Sequence, residues 1–144
     1  MEQETTRNTV ICILTSGYKI NDELSSLFKK FDLSLPQFNV LRILRGQRGK
    51  PANLSTIQEH MIHKMSNTTR LIDKLIQKGF VKRNICENNR RKIEIYITNS
   101  GLQLLKSIDD RLNNKESFML ENLNIEEKKE LIRILSKIKT TQYN

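Results

Sequence analysis

The 144-residue sequence contains no tryptophan, two prolines, five glycines and two cysteines. So few helix and strand breakers exclude a collagen-like or low-complexity chain, and no internal repeat is visible. Cys12 and Cys86 alone cannot build a disulfide framework, so the expected setting is a reducing cytoplasm. No apolar run approaches the roughly 20 residues that cross a bilayer, so no membrane association is expected. Met1 to Asn8 are polar and lack a basic stretch followed by a long apolar one, so no secretion signal is expected either. Also missing are a glycine-rich phosphate loop, a defensible Ser/His/Asp order and a paired-carboxylate motif. A nucleic-acid enzyme needs such groups, so the chain reads as a binding module without a cofactor. Hydrophobic residues make up 37% of it and mean hydropathy is −0.54. Both predict one soluble domain over 1–144, with a modest core that a partner subunit extends.

What the chain has in abundance is positive charge, concentrated in its middle. Residues 35–92 hold thirteen Lys or Arg against Glu59, Asp73 and Glu87, a local net of +10. The first 34 residues net −1 and the last 52 net zero, within a total of +9. A basic block between balanced flanks is an electrostatic footprint for a polyanion. Charge alone marks a solvated face about as often, so the order of residues inside the block has to decide.

That order alternates between two periods. Ile11, Leu14, Tyr18, Leu24, Leu27, Phe28 and Phe31 recur near 3.6 residues and predict a first helix over about 5–31. Ser34 before Leu35-Pro36 reads as a cap with proline in the first turn of a second helix. That helix carries Phe38, Leu41 and Leu44 on its apolar face and stops near Gly46. Ser55 with Gln58 has capping-box spacing and predicts a third helix over about 55–62. After a break at His63 to Met65, a fourth is predicted over about 65–78 with Thr68, Leu71, Ile72 and Leu75 inward, ended by Gly79. The period then drops to two. Val81, Arg83 and Ile85 answer Ile93, Ile95 and Ile97 across the turn-prone Glu87-Asn88-Asn89-Arg90-Arg91, which predicts a β-hairpin with a charged tip. Thr98 caps a fifth helix over about 99–121, and Asn124 with Glu127 a sixth over about 125–140.

Two short helices with a tight break, the second open on one face, make a helix-turn-helix. If Thr68, Leu71, Ile72 and Leu75 face inward, then Ser66, Arg70, Asp73 and Gln77 face outward, flanked by Asn67, Thr69 and Lys74. The N-terminal residues of such a helix reach furthest into a major groove. Ser66, Asn67, Thr69 and Arg70 are therefore the candidate base readers. Asn is able to pair with adenine in two places and Arg with guanine, while Lys74 suits a phosphate. At the hairpin tip, Arg90, Arg91 and Lys92 suit the negative potential of a neighbouring minor groove, or the backbone. The pattern leaves two alternatives open, a protein-interaction scaffold and a nucleic-acid binder with little base preference. His60 and His63, three apart at the end of the expected third helix, have no nearby Cys or clear carboxylate partner and read as ordinary polar residues, not a metal site.

Four segments carry a resemblance to a known family: Leu33-Ser34-Leu35-Pro36-Gln37-Phe38, Thr69 to Leu75, Lys78-Gly79-Phe80-Val81-Lys82-Arg83, and Asn89-Arg90-Arg91 through Ile97-Thr98-Asn99-Ser100-Gly101. In order, they resemble the multiple-antibiotic-resistance regulator (MarR) family of bacterial winged-helix transcription factors. The resemblance implies a mainly α (α+β) fold of six helices, with a winged helix-turn-helix lobe at 33–100. The regions 5–31 and 101–141 would interlock two copies into a homodimer on a pseudo-palindromic operator. It also implies repression relieved by a small aromatic or lipophilic effector, with pocket residues expected from the first, second and fifth helices. Arg91 matches the family's minor-groove arginine. Asn89 stands where the family usually has an Asp, which leaves only a neutral brace for Arg91 unless Glu87 supplies a charged one. Some members sense oxidants through a first-helix cysteine. Cys12 does not align with that position and is expected to be a buried, inert thiol.

Overall fold

The computed structural model describes residues 1–139, excepting the side chains of Arg90 and Arg91. The described residues form α1 (Glu2–Lys29), α2 (Leu35–Gly46), α3 (Leu54–His60), α4 (Thr68–Gln77), β1 (Val81–Cys86), β2 (Asn89–Ile97), α5 (Asn99–Met119) and α6 (Ile125–Lys139). Contacts group the chain into two units, Met1–Leu112 and Asn113–Asn144, with the division inside α5.

Local chemistry sets most element ends in the first unit. Ser34 closes a full capping box on α2. Its hydroxyl accepts the Gln37 N–H, and the Gln37 side chain accepts the Ser34 N–H at 3.0 Å. Gly79 sits just past α4 at φ +80°, a left-handed position that glycine takes without strain. Thr98 then joins two elements. Its hydroxyl donates to the Gly79 carbonyl at 2.7 Å and accepts the Gly101 N–H at 3.1 Å, so the end of α4 and the start of α5 share one side chain. Gly101 has no room for anything larger, since a Cβ there would lie 2.5 Å from the Phe80 carbonyl oxygen.

Four expected details differ. The cap of α3 is Asn53, whose side chain accepts the Thr56 N–H at 2.7 Å, and not Ser55. The helix also ends at His60, so His63 lies beyond it. The α4 helix starts at Thr68 rather than near 65, because Asn67 caps it by accepting the Arg70 N–H. The hairpin turns at Glu87-Asn88, so Asn89, Arg90 and Arg91 belong to β2 and not to a five-residue tip. Cys86 pairs with Asn89 and Ile85 with Ile93, so residues 90–92 form an irregularity in β2 with no opposite number on β1. Ala52 adds a further bridge to Ile95, with both N–H···O bonds at 2.9 Å.

The core of this unit draws on all its elements. Phe28 stacks on Phe38 with centroids 4.1 Å apart. Leu41, Leu44, Ile57, Ile72, Leu75, Ile95, Leu105 and Ile108 are fully buried around them. Each such side chain contributes about 1.5–3 kcal/mol of burial. The compact unit therefore takes in the end of α1 and the first half of α5, beyond the 33–100 lobe. Arg45 reaches both carboxylate oxygens of Asp109 at 3.0 Å and ties α2 to α5. The N-terminal part of α1 is bare by contrast, with Val10, Ile11, Leu14 and Tyr18 exposed. Cys12 is exposed there too, contrary to the buried thiol expected, because no described residue of this unit covers that stretch.

In the second unit, Asn124 and Glu127 cap α6 reciprocally. Arg133 pairs with Glu130, holding that carboxyl below its ordinary pKa. No residue of α6 is buried, and Leu131, Ile132, Ile134 and Ile138 are exposed. Among the described residues, no helix is long and apolar enough to cross a membrane.

Candidate nucleic-acid interface

The α4 helix presents two unlike faces. Thr68, Ile72 and Leu75 are buried and Leu71 is half-buried, which matches the inward set read from the sequence. Thr69, Arg70, Lys74 and Gln77 are exposed, and Asp73 is half-buried. Apolar side chains at i, i+3, i+4 and i+7 lock the helix to the core and so fix which residues point away from it.

The start of α4 faces the start of α2 across a groove. It is lined by Ser34, Pro36, Gln37, Ser66, Asn67, Arg70, Leu71 and Lys74, with a volume of about 350 Å³. Four of the five predicted helix-turn-helix contacts thus line one concavity, and Thr69 lies outside it. Ser66 is half-buried, its N–H donating to the His63 carbonyl at 3.1 Å. Asn67 is exposed, but its Oδ1 is engaged by the Arg70 N–H at 3.2 Å. Its amide N–H₂ and the second lone pair of Oδ1 remain for a ligand.

An ion pair links α4 to the hairpin. Arg83 of β1 donates to Asp73 at 3.0 Å, so the single acidic residue of the outward face is partly neutralised by a neighbouring cation. Sequence reading missed this pair, because opposite charges ten apart across an element boundary carry no local signal. On β2, Lys92 is exposed. The side chains of Arg90 and Arg91 lie outside the described residues, so their predicted contacts rest on backbone position alone. Lys82 stands 5.3 Å from the Tyr96 ring centroid. Tyr96 donates to Glu94 at 2.9 Å, and this bond raises the tyrosine pKa, so the phenol stays neutral. Among the described residues, no group of three or more His, Cys, Asp or Glu is placed to hold a metal ion. His60 turns its Nδ1 to the Thr56 carbonyl at 2.8 Å.

This arrangement of helices and hairpin is one seen in known proteins. A family model described as "MarR family" matches residues 33–93. The chain is 34% identical over 111 residues to the uncharacterized HTH-type transcriptional regulator YfiV of Bacillus subtilis, covering 77% of this chain and 68% of that protein. It is 32% identical over 122 residues to the HTH-type transcriptional regulator PecS of Dickeya dadantii, covering 83% and 72%. Its fold matches that of a mutant MarR from E. coli complexed with operator DNA, with a TM-score of 0.78 and 21% identity over 88% of this chain and 90% of that one. On these grounds, and on the winged helix-turn-helix described above, the chain belongs to the MarR family of DNA-binding transcriptional regulators.

Proposed function

We propose that this regulator is a cytoplasmic homodimeric repressor that binds a pseudo-palindromic operator and leaves it when a small aromatic or lipophilic effector binds. It acts by binding and not by catalysis. The observation that carries the reading is the outward face of α4, where Thr69, Arg70 and Lys74 are exposed on a helix whose opposite face is locked into the core. A B-form major groove about 12 Å wide admits one such helix. Ser66, Asn67, Thr69 and Arg70 then address base edges, while Lys74 addresses a phosphate. Arg90, Arg91 and Lys92 belong to the neighbouring minor groove or the backbone.

Pairing of two chains is supported by the apolar residues that one chain leaves uncovered. Val10, Ile11, Leu14 and Tyr18 on α1, and Leu131, Ile132, Ile134 and Ile138 on α6, are all exposed. Large uncovered apolar patches mark interaction surfaces, and a second copy supplies the same residues again under two-fold symmetry. The regions 5–31 and 101–141 are the proposed dimerisation region, with 33–100 as the DNA-binding lobe. Residues 140 and 141 lie outside the described residues.

The test is selection of bound sequences from a random duplex pool, followed by titration of the selected and a random duplex across a salt series. The expected result is a two-fold symmetric sequence with half-sites about 10 base pairs apart, a steep salt slope and a large preference for the selected duplex. A steep slope without preference indicates a general nucleic-acid binder. No binding at all refutes the reading and leaves a protein-interaction scaffold.

A further inference from the structure

The hairpin carries an apolar pair that the core does not use. Val81 and Ile95 anchor one face of it, each 2% exposed. Side chains alternate along a strand, so Ile85 and Ile93, directly opposite each other in the ladder, lie on that same face. They are nevertheless 62% and 37% exposed, and neither packs on the core. They form the last regular rung before the irregularity at residues 90–92. A cross-strand isoleucine pair supports a hairpin modestly, and so does a threonine pair. Ladder stability alone therefore does not call for bare apolar surface here.

The surroundings point to what covers it. Arg83 shares the face, two residues nearer the core, and reaches Asp73 on the outward side of α4. At roughly 3.3 Å per residue, Ile85 stands about 7 Å further along the strand than that tie. Lys92 directly precedes Ile93 and is exposed, and Lys74 is exposed on α4. The whole block 35–92 nets +10. An apolar pair set among cations, continuous with the face that α4 offers to DNA, matches a nucleic-acid strand, where apolar sugar faces alternate with phosphates.

We propose that Ile85 and Ile93 pack on a deoxyribose of the operator, on the strand that divides the major groove entered by α4 from the minor groove beside the hairpin. The proposal rests on the reading of α4 as a major-groove helix. The contact reads the sugar and not the base, and it selects DNA over RNA. A 2′-hydroxyl at that nucleotide loses water against two side chains that neither donate nor accept a hydrogen bond.

The test places single ribonucleotides, one position at a time along both strands, in the DNA duplex that the native chain selects. Affinity is measured for the native chain and for Ile85→Ala combined with Ile93→Ala. With the native chain, one nucleotide or two adjacent ones in each half-site should lower affinity about tenfold. The alanine variant should bind the all-DNA duplex about five- to tenfold more weakly and lose that penalty. Ile85→Thr combined with Ile93→Thr keeps the β-branched shape that strands favour and offers a hydroxyl to the 2′-oxygen. It should lose the penalty too, which keeps the test decisive if the alanine variant does not fold. A penalty that persists in the variants, or no penalised nucleotide at all, overturns the contact. So does native affinity of the alanine variant for the all-DNA duplex. Weaker self-association of the alanine variant places a second chain on the pair and overturns it as well. Failure of the native chain to select any duplex refutes the reading of α4 itself, and the contact with it.

Discussion

Asn67→Ala removes the acceptor that closes the first turn of α4. The helix has only ten residues, so a lost cap acts on a large part of it. Replacing an N-cap asparagine by alanine costs about 0.5–2 kcal/mol. The bond here is 3.2 Å long, beyond the usual 2.9–3.0 Å or so, and Asn67 is exposed. Both place the expected loss in the lower part of that range, about 0.5–1 kcal/mol, or a fall in Tm of about 1–4 °C for a chain of this size. Asn67→Asp retains the acceptor and sets a negative charge at the positive end of the helix, so its stability should stay within about 0.5 kcal/mol of the native chain. Its DNA binding should nonetheless suffer, since the carboxylate faces the polyanionic duplex, and the deficit should be largest at low salt, where screening is weakest. Thermal melting at fixed protein concentration and operator titration at two salt concentrations check both. A native melting curve for Asn67→Ala refutes the role of the cap. Native low-salt affinity for Asn67→Asp refutes the placement of this turn against the duplex.

Other substitutions separate the remaining parts of the interface. Arg70→Ala should cost about 1–3 kcal/mol on the selected operator and relax its sequence preference, whereas Lys74→Ala should weaken selected and random duplex alike. Equal losses for Arg70→Ala on both duplexes refute the helical phase. Asp73→Asn releases Arg83 from a half-exposed pair. Stability should change by less than about 1 kcal/mol, while affinity for random duplex rises as a negative charge leaves the outward face; unchanged affinity in a salt titration refutes that orientation. Arg91→Ala should weaken operator binding strongly with little change in melting temperature, and unchanged affinity at physiological salt removes the wing from the account.

Much of the fold was legible because its signals are local. Ser34 with Gln37, Thr98, Gly79 and the Asn124–Glu127 pair each satisfy backbone groups within a few residues, and all act where the sequence places them. The inward face of α4 was legible for the same reason, being set by a repeat of 3.6. Competition between neighbours was not. Asn53 and Ser55 both suit a cap, and only the path of the preceding bridge from Ala52 to Ile95 selects Asn53. The register of β2 likewise depends on a shift between Ile85 and Cys86 that alternation does not announce. Long-range partners left no trace at all, as with Arg45 and Asp109 or Arg83 and Asp73.

The central claim is that two identical chains together present two winged lobes to one duplex. Sedimentation equilibrium of the full chain, alone and with the selected operator, tests it directly. The account predicts a dimer at micromolar concentration and two chains on each duplex. A monomer in free solution that binds the operator one chain at a time would contradict it.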